Sequence, residues 1–224
     1  MGEEFDWGNP LPVTRLYVVS EGLTEINFVR DVITPHLERR WPERITVQAP
    51  KLEGNCTYGK VQKLVRAVLG NPGSDVRVTT MIDLYGLPGG FPGRILCDGY
   101  EDPWKRVQEM ERFFYEDLQD ERFIPYLQLH EFEALILTDA RCLAKYYPSR
   151  KADLDKLAQS IKKQFQSPEE VNRMTSPSRR IKDVVPEYQK VPFGVSAVID
   201  LGIEAIRREC RHFDSWFRKL EALL

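Results

Sequence analysis

The sequence predicts an α/β fold built on a mostly parallel central sheet of about four strands, flanked by helices and followed by a helical C-terminal appendage. Three observations lead there. Short apolar segments rich in β-branched and aromatic residues recur through the first 130 residues, stretches with helical apolar spacing alternate with them, and beyond about Pro148 only helical spacing remains. The chain has 224 residues, of which 42% are hydrophobic and 29% charged. That is the composition of a folded protein rather than a disordered or fibrous one.

In chain order, Thr14–Ser20 (TRLYVVS) reads as a buried strand that stops at Glu21-Gly22. Thr24 is placed to cap a helix whose apolar positions are Ile26, Val29, Ile33 and Leu37. Arg44–Ala49 is a second strand, and Val61–Leu69 a helix with Val61, Leu64, Val65, Val68 and Leu69 on one stripe. Val76–Leu84 is a third strand, running through Asp83 into the Gly/Pro-rich loop Gly86–Gly93. Trp104, Val107, Met110, Phe114 and Leu118 mark another amphipathic helix, and Phe123–Leu129 a fourth strand ending at His130-Glu131. Leu154, Leu157, Ile161 and Phe165 then follow helical spacing, Ser167–Ser178 is a Ser/Pro-containing break, and a long apolar stripe runs from Val198 to Leu224. The expected division is an α/β domain over residues 1–148 and a helical extension over 149–224.

Several classes of function are set aside. No apolar run approaches the ~20 residues that span a bilayer, and no basic segment followed by an apolar stretch opens the chain, so a cytoplasmic protein is expected. Cys56, Cys97, Cys142 and Cys210 lie 41, 45 and 68 residues apart, too scattered for a zinc site and suited to reduced thiols. Net charge is −2, which disfavours a protein that coats nucleic acid unaided. The charge is uneven: residues 1–148 carry 17 Lys/Arg against 23 Asp/Glu, and residues 149–224 carry 15 against 11. An acidic front half concentrates cations and a basic back half holds phosphates, unless the difference is chance variation over solvated faces.

The main clue is an acid at the end of three successive apolar strands: Glu21, Asp83 and Glu131. In parallel sheets, sites form at the C-terminal ends of strands. Carboxylates brought together there raise one another's pKa, and hard divalent cations such as Mg²⁺ or Mn²⁺ relieve the repulsion. Metals so held activate water and stabilise the oxyanions of a phosphodiester. Glu133 shares a face with Glu131 if the strand continues, but sits about 200° away if a helix begins there. The run Ala134-Leu135-Ile136-Leu137 favours the helix, which puts Glu131 at the site and Glu133 second. Glu21 has a plainer reading as a turn carboxylate near a helix N-terminus, and Glu25 as a first-turn charge.

Val19-Ser20-Glu21-Gly22-Leu23-Thr24-Glu25 resembles the V-E-G-x-T-E signature that opens Toprim (topoisomerase–primase) domains of overcoming-lysogenization-defect type nucleases. Thr79–Gly86, Leu129–Leu135, Pro177–Ile181 and the tail Gly202–Glu221 are similar to a bacterial Toprim-like family across nearly the whole chain. The resemblance implies a Toprim-like fold and Mg²⁺-dependent phosphodiester chemistry. Glu21 would match the Toprim glutamate, a metal ligand or general acid/base, and Asp83 the first acid of the Asp-x-Asp motif. Tyr85 stands where the second acid belongs, so either Glu131 or Glu133 replaces it, or the site holds one metal or none. Related proteins are often encoded beside ATPases in anti-phage systems, so the resemblance also implies a partner ATPase.

The remaining candidates are phosphate contacts. Lys60 precedes a helix in Gly54–Lys60, without a complete ATP-binding loop. Ser178, Arg179, Arg180, Lys182 and Lys190 form a basic cluster that either grips a nucleic-acid backbone or is a solvated loop. His130 either assists proton transfer or is a core histidine bonded to backbone. The leading expectation is a metal-dependent nuclease or nicking subunit acting on DNA or RNA. Against it stand a non-catalytic module that docks on an ATPase through the C-terminal helices, and an enzyme acting on a small phosphate ester.

Overall fold

The computed structural model describes residues 13–171 and 175–223, so residues 1–12 of the first expected domain and Leu224 of the C-terminal stripe lie outside the described residues. Strands β1 (Thr14–Ser20), β2 (Ile45–Gln48), β3 (Val76–Met81) and β4 (Phe123–Ile124) form one parallel sheet in the order β2-β1-β3-β4. From β1 the chain crosses through α1 (Leu23–Phe28), a π turn (Val29–Ile33) and α2 (Thr34–Arg40) to β2. It returns past β1 through α3 (Tyr58–Leu69) to β3, then reaches β4 through the short α4 (Arg94–Cys97) and the long α5 (Pro103–Leu118). Strand order therefore reverses between β1 and β3. The crevice beyond their C-terminal ends is the switch point at which open α/β sheets bind ligands, and Glu21 and Asp83 stand there.

Each face of the sheet has its own core. Leu16, Val18 and Met81 pack with Phe28, Val29, Ile33 and Leu37 on one side. Val19, Val76 and Val78 pack with Val61, Val65, Val107, Met110 and Phe114 on the other. The alternation along β1 produces this split, because neighbouring strand residues point to opposite faces.

The remaining helices are α6 (Glu133–Ile136), α7 (Lys151–Gln164), α8 (Pro177–Val184), α9 (Val195–Leu201), α10 (Ile203–Glu209) and α11 (Arg211–Glu221). Leu154, Ile181, Val198, Phe213 and Phe217 join the same core as Leu16 and Phe28. Trp216 stacks on Tyr126 with ring centroids 4.1 Å apart and donates its indole N–H to Thr79 Oγ1 at 2.9 Å. The C-terminal helices thus cover one face of the sheet.

Three local expectations change. The fourth strand is short because Pro125 has no N–H for the ladder; Thr80 Oγ1 takes over by accepting from the Tyr126 N–H at 3.2 Å. The first helix is capped at Gly22 rather than by Thr24: Glu25 accepts from the Gly22 N–H at 2.9 Å. The C-terminal stripe is three helices, broken at Gly202, whose φ is +82°, and at Cys210.

Candidate functional site

Glu21 leaves the end of β1 and accepts the Asp83 backbone N–H at 3.2 Å, so the ends of β1 and β3 are tied together through one carboxylate. Gly86 packs against it, where an added Cβ would stand in ordinary contact, 3.4 Å from Glu21 Oε1. Asp83 follows β3 in an extended conformation and pairs across the sheet with Gln128. Its side chain is 15% exposed, and Oδ1 is buried without a hydrogen-bond partner. Buried polar atoms are rarely left so.

Two further carboxylates converge, both almost fully buried. Glu25 comes from the first turn of α1, and Glu133 opens α6. Between them and Asp83 lies the Lys190 ammonium, 3.4 Å from Asp83, 3.6 Å from Glu25 and 3.6 Å from Glu133. Lys190 begins the turn that leads into α9. The preceding Tyr188 hydroxyl donates to Glu133 Oε1 at 3.5 Å. Gly194 is required nearby, because any Cβ there would run into that hydroxyl.

The electrostatics follow from this packing. Burial pushes the Asp83 carboxyl well above the usual range, with Lys190 opposing the shift and Glu25, Glu21 and Glu133 adding to it. Burial likewise raises Glu21 and Glu133. Lys190 loses hydration too, but Asp83, Glu133 and Glu25 outweigh that loss and raise its pKa, so it stays charged. Cys56 faces the same acids, and burial with the charges of Glu21 and Asp83 pushes its thiol up to about 11.

A divalent cation is the group expected at these acids from the sequence. The donors fit a hard cation, being carboxylate oxygens throughout, and Asp83 Oδ1 is an orphaned buried acceptor within the cluster. As they stand, the carboxylates are spaced around an ammonium: among the described residues no three acidic, histidine or cysteine side chains are drawn together closely enough to hold a metal.

The other expected residues fall into place less uniformly. Glu131 lines the same cavity as Asp83, Glu133 and Lys190, but it accepts the Ser178 N–H at 3.0 Å and so caps the start of α8. The expected preference for Glu131 over Glu133 is therefore reversed in contact with Lys190, because α6 begins at Glu133 and turns that carboxylate inward. His130 is buried at φ +68° against the Tyr85 ring, 4.7 Å between centroids, and neither ring nitrogen meets a partner at hydrogen-bonding geometry. Burial lowers its pKa to about 4, so it is neutral near pH 7. It lies beside the Glu169 backbone, which works against that lowering, and is not among the residues lining the acid cavities.

The basic cluster is helical rather than a loop. Ser178 and Lys182 line the cavity with Glu131. Arg179 pairs with Asp183, and Arg180 donates to Thr175 and lies over Phe165. Lys60 donates to the carbonyls of Glu53 and Asn55, at 2.9 and 3.2 Å. Lys190, expected at a phosphate, stands in the acid cluster.

Residues 20–221 match the family described as "Domain of unknown function (DUF4276)". The chain belongs to that family. No curated protein matches the sequence. Among solved structures, this member of the family is similar to the "C-terminal region of the Burkholderia pseudomallei OLD protein". That similarity stands at 13% identity and a TM-score of 0.45, over 93% of this chain and 98% of that one.

Sequence reasoning set Glu25 aside and missed Tyr188. The Glu25 signal was present, since it closes the V-x-E-G-x-T-E segment. Tyr188 carried none, because its role depends on where the turn before α9 docks.

Proposed function

We propose that this family member is a metal-dependent phosphodiester hydrolase of the Toprim nuclease type, in which Glu21, Asp83 and Glu133 hold Mg²⁺ or Mn²⁺, with Glu25 and Glu131 within the same acidic cavities. The observation that carries the reading is the unpartnered, buried Asp83 Oδ1, in a carboxylate cluster at the switch point of the sheet. When bound, such a cation supplies Lewis-acid stabilisation of a phosphoryl oxygen and a more acidic water.

This chain's own residues provide the rest. Glu21 fixes the Asp83 backbone and, with its raised pKa, is suited to hold or take a proton. Glu133 replaces the carboxylate that Tyr85 displaces from the Asp-x-Asp pattern, and Tyr188 orients it. Lys190 holds positive charge against the carboxylates, where a phosphate would approach. Ser178 and Lys182, on the rim formed by α8, offer phosphate contacts of the kind that position a backbone without reading its sequence. His130 has no proton-transfer role here, since its ring is buried against Tyr85.

The test is Mn²⁺ binding by calorimetry to the wild type, Glu21→Ala and Asp83→Ala, followed by DNA and RNA hydrolysis in Mg²⁺ and Mn²⁺. Binding and hydrolysis lost together in both variants is the expected result. Binding indifferent to both substitutions overturns the metal site.

One observation favours a second reading. Lys190 already supplies a cation to Asp83, Glu25 and Glu133, so the cluster is partly neutralised without metal. On that reading the chain is a non-catalytic Toprim-like module that docks on an ATPase. It expects no Mn²⁺ binding by the wild type and stable co-purification with the ATPase.

A further inference from the structure

We infer that a cavity beside the acid centre, lined by Lys51, Lys60 and Lys63, is a subsite for a backbone phosphate of a polynucleotide strand crossing that centre; this rests on the nuclease reading above. The cavity measures about 400 Å³ and sets these three lysines against one carboxylate, Glu53, with Leu52, Leu64 and Ala67 completing the lining. Its position follows from the sheet. Lys51 pairs in parallel with Ser20, the residue before Glu21, and the Leu52 N–H donates to Ser20 O at 3.0 Å. Lys51 therefore stands one strand spacing, ~4.8 Å, from the backbone that delivers the first acid.

A single loop separates the two cavities. Gly54, Asn55 and Cys56 line the acidic one with Glu21 and Asp83, whereas Glu53 and Lys60 line the basic one. Lys60 pins this wall through its bonds to the Glu53 and Asn55 carbonyls. Gly54 lies at φ +66°, and an added Cβ would come within 3.2 Å of the Lys60 ammonium. Lys51 and Lys63 are exposed and, among the described residues, have neither an ion pair nor a side-chain hydrogen bond. They are the free lysines of the cavity, and the Glu53 carboxylate is likewise unpaired among the described residues.

This arrangement selects a substrate class. A small phosphate ester with its phosphorus at the acid centre cannot also place charge beyond the loop 53–56. A strand can, because its neighbouring phosphates continue past the reacting one. Lys51 and Lys63 then act as binding residues for the flanking backbone, and bis(p-nitrophenyl) phosphate has no use for them.

The experiment is fluorescence anisotropy of fluorescein-labelled single-stranded DNA and RNA of mixed sequence, titrated with the full chain in Ca²⁺ over a range of salt. Lys51→Glu/Lys63→Glu should weaken binding on the order of 10- to 100-fold at low salt and flatten the log–log salt slope by about 1.4, the share of two single-strand phosphate contacts. Lys51→Arg/Lys63→Arg should retain both affinity and slope. Hydrolysis of bis(p-nitrophenyl) phosphate in Mn²⁺ and the thermal unfolding midpoint should match wild type in all variants. Wild-type binding that the glutamate pair leaves unchanged overturns the subsite and leaves the nuclease reading standing. Wild type that binds neither strand overturns both.

Discussion

Two clusters of buried carboxylates link the C-terminal helices to the sheet, and they are finished in opposite ways. In one, Glu169 is fully buried and accepts from the backbone N–H groups of His212 and Phe213, at 2.9 and 3.0 Å, and from the Trp104 indole at 3.2 Å. Beside it, Glu111 accepts from the Leu127 N–H at 2.8 Å and lies 3.0 Å from His212 Nε2. Both carboxylates have their partners, and Glu169 caps α11. In the other cluster, Asp83 Oδ1 has no partner, several carboxylates face one ammonium, and cavities open onto them. A satisfied buried acid stabilises the fold. An unsatisfied one costs stability, and such a cost is tolerated where a ligand can offset it.

That contrast can be broken by substitution. The largest effect is expected from Asp83→Asn. Metal-dependent hydrolysis should drop more than about a hundredfold, since even an outer-shell partner of a metal is worth 10–100-fold. The thermal midpoint should hold or rise, because one repelled charge is gone. Glu169→Ala should do the reverse to stability: two buried backbone donors and the half-buried Trp104 indole lose their acceptor, at a cost of about 3–5 kcal/mol in denaturant unfolding. A Glu169→Ala protein as stable as wild type would erase the distinction.

Smaller effects sharpen it. Lys190→Met should cost about 1–2 kcal/mol without metal, reduced from the fully buried case by the partial exposure of Lys190. Saturating Mn²⁺ should restore most of that loss by binding the folded state, as read from unfolding midpoints with and without the ion. His212 gives the satisfied cluster a pH signature. Burial works against its imidazolium, but Glu111 and Glu169 outweigh burial and raise its pKa above 6.5. A raised folded-state pKa gives stability that is fully present below about pH 6.5 and lost as pH climbs through the folded value. Urea unfolding across that range should show the decline in wild type and its absence in His212→Asn. Arg179→Ala, which removes only an exposed pair with Asp183, should change stability by no more than about 0.5 kcal/mol.

The sheet was readable because strand signals are local: Thr14–Ser20 falls where its β-branched and aromatic run puts it, and the third strand starts at Val76 as expected but ends at Met81 rather than Leu84. Glu21 and Asp83 were readable for the same reason, as the residues at which apolar runs end. Pro125 was visible, yet its consequence, a ladder continued by the Thr80 hydroxyl, depends on a neighbouring strand. The choice between Glu131 and Glu133 turned on where α6 begins, and boundaries are the least local feature of a helix.

By itself, then, the sequence determined the parallel α/β architecture, the strand-end acids and the helical character of the last third, because each depends on periodicity within a few residues. Only the tertiary structure decided what surrounds those acids. Lys190 lies 107 positions from Asp83 in sequence and 3.4 Å from it in space. Lys51 reaches the edge of the same site through a sheet pairing with Ser20. Neither placement leaves a periodic trace, since electrostatic partnership is set by distance in space and the chain's pattern records only its neighbours along the backbone.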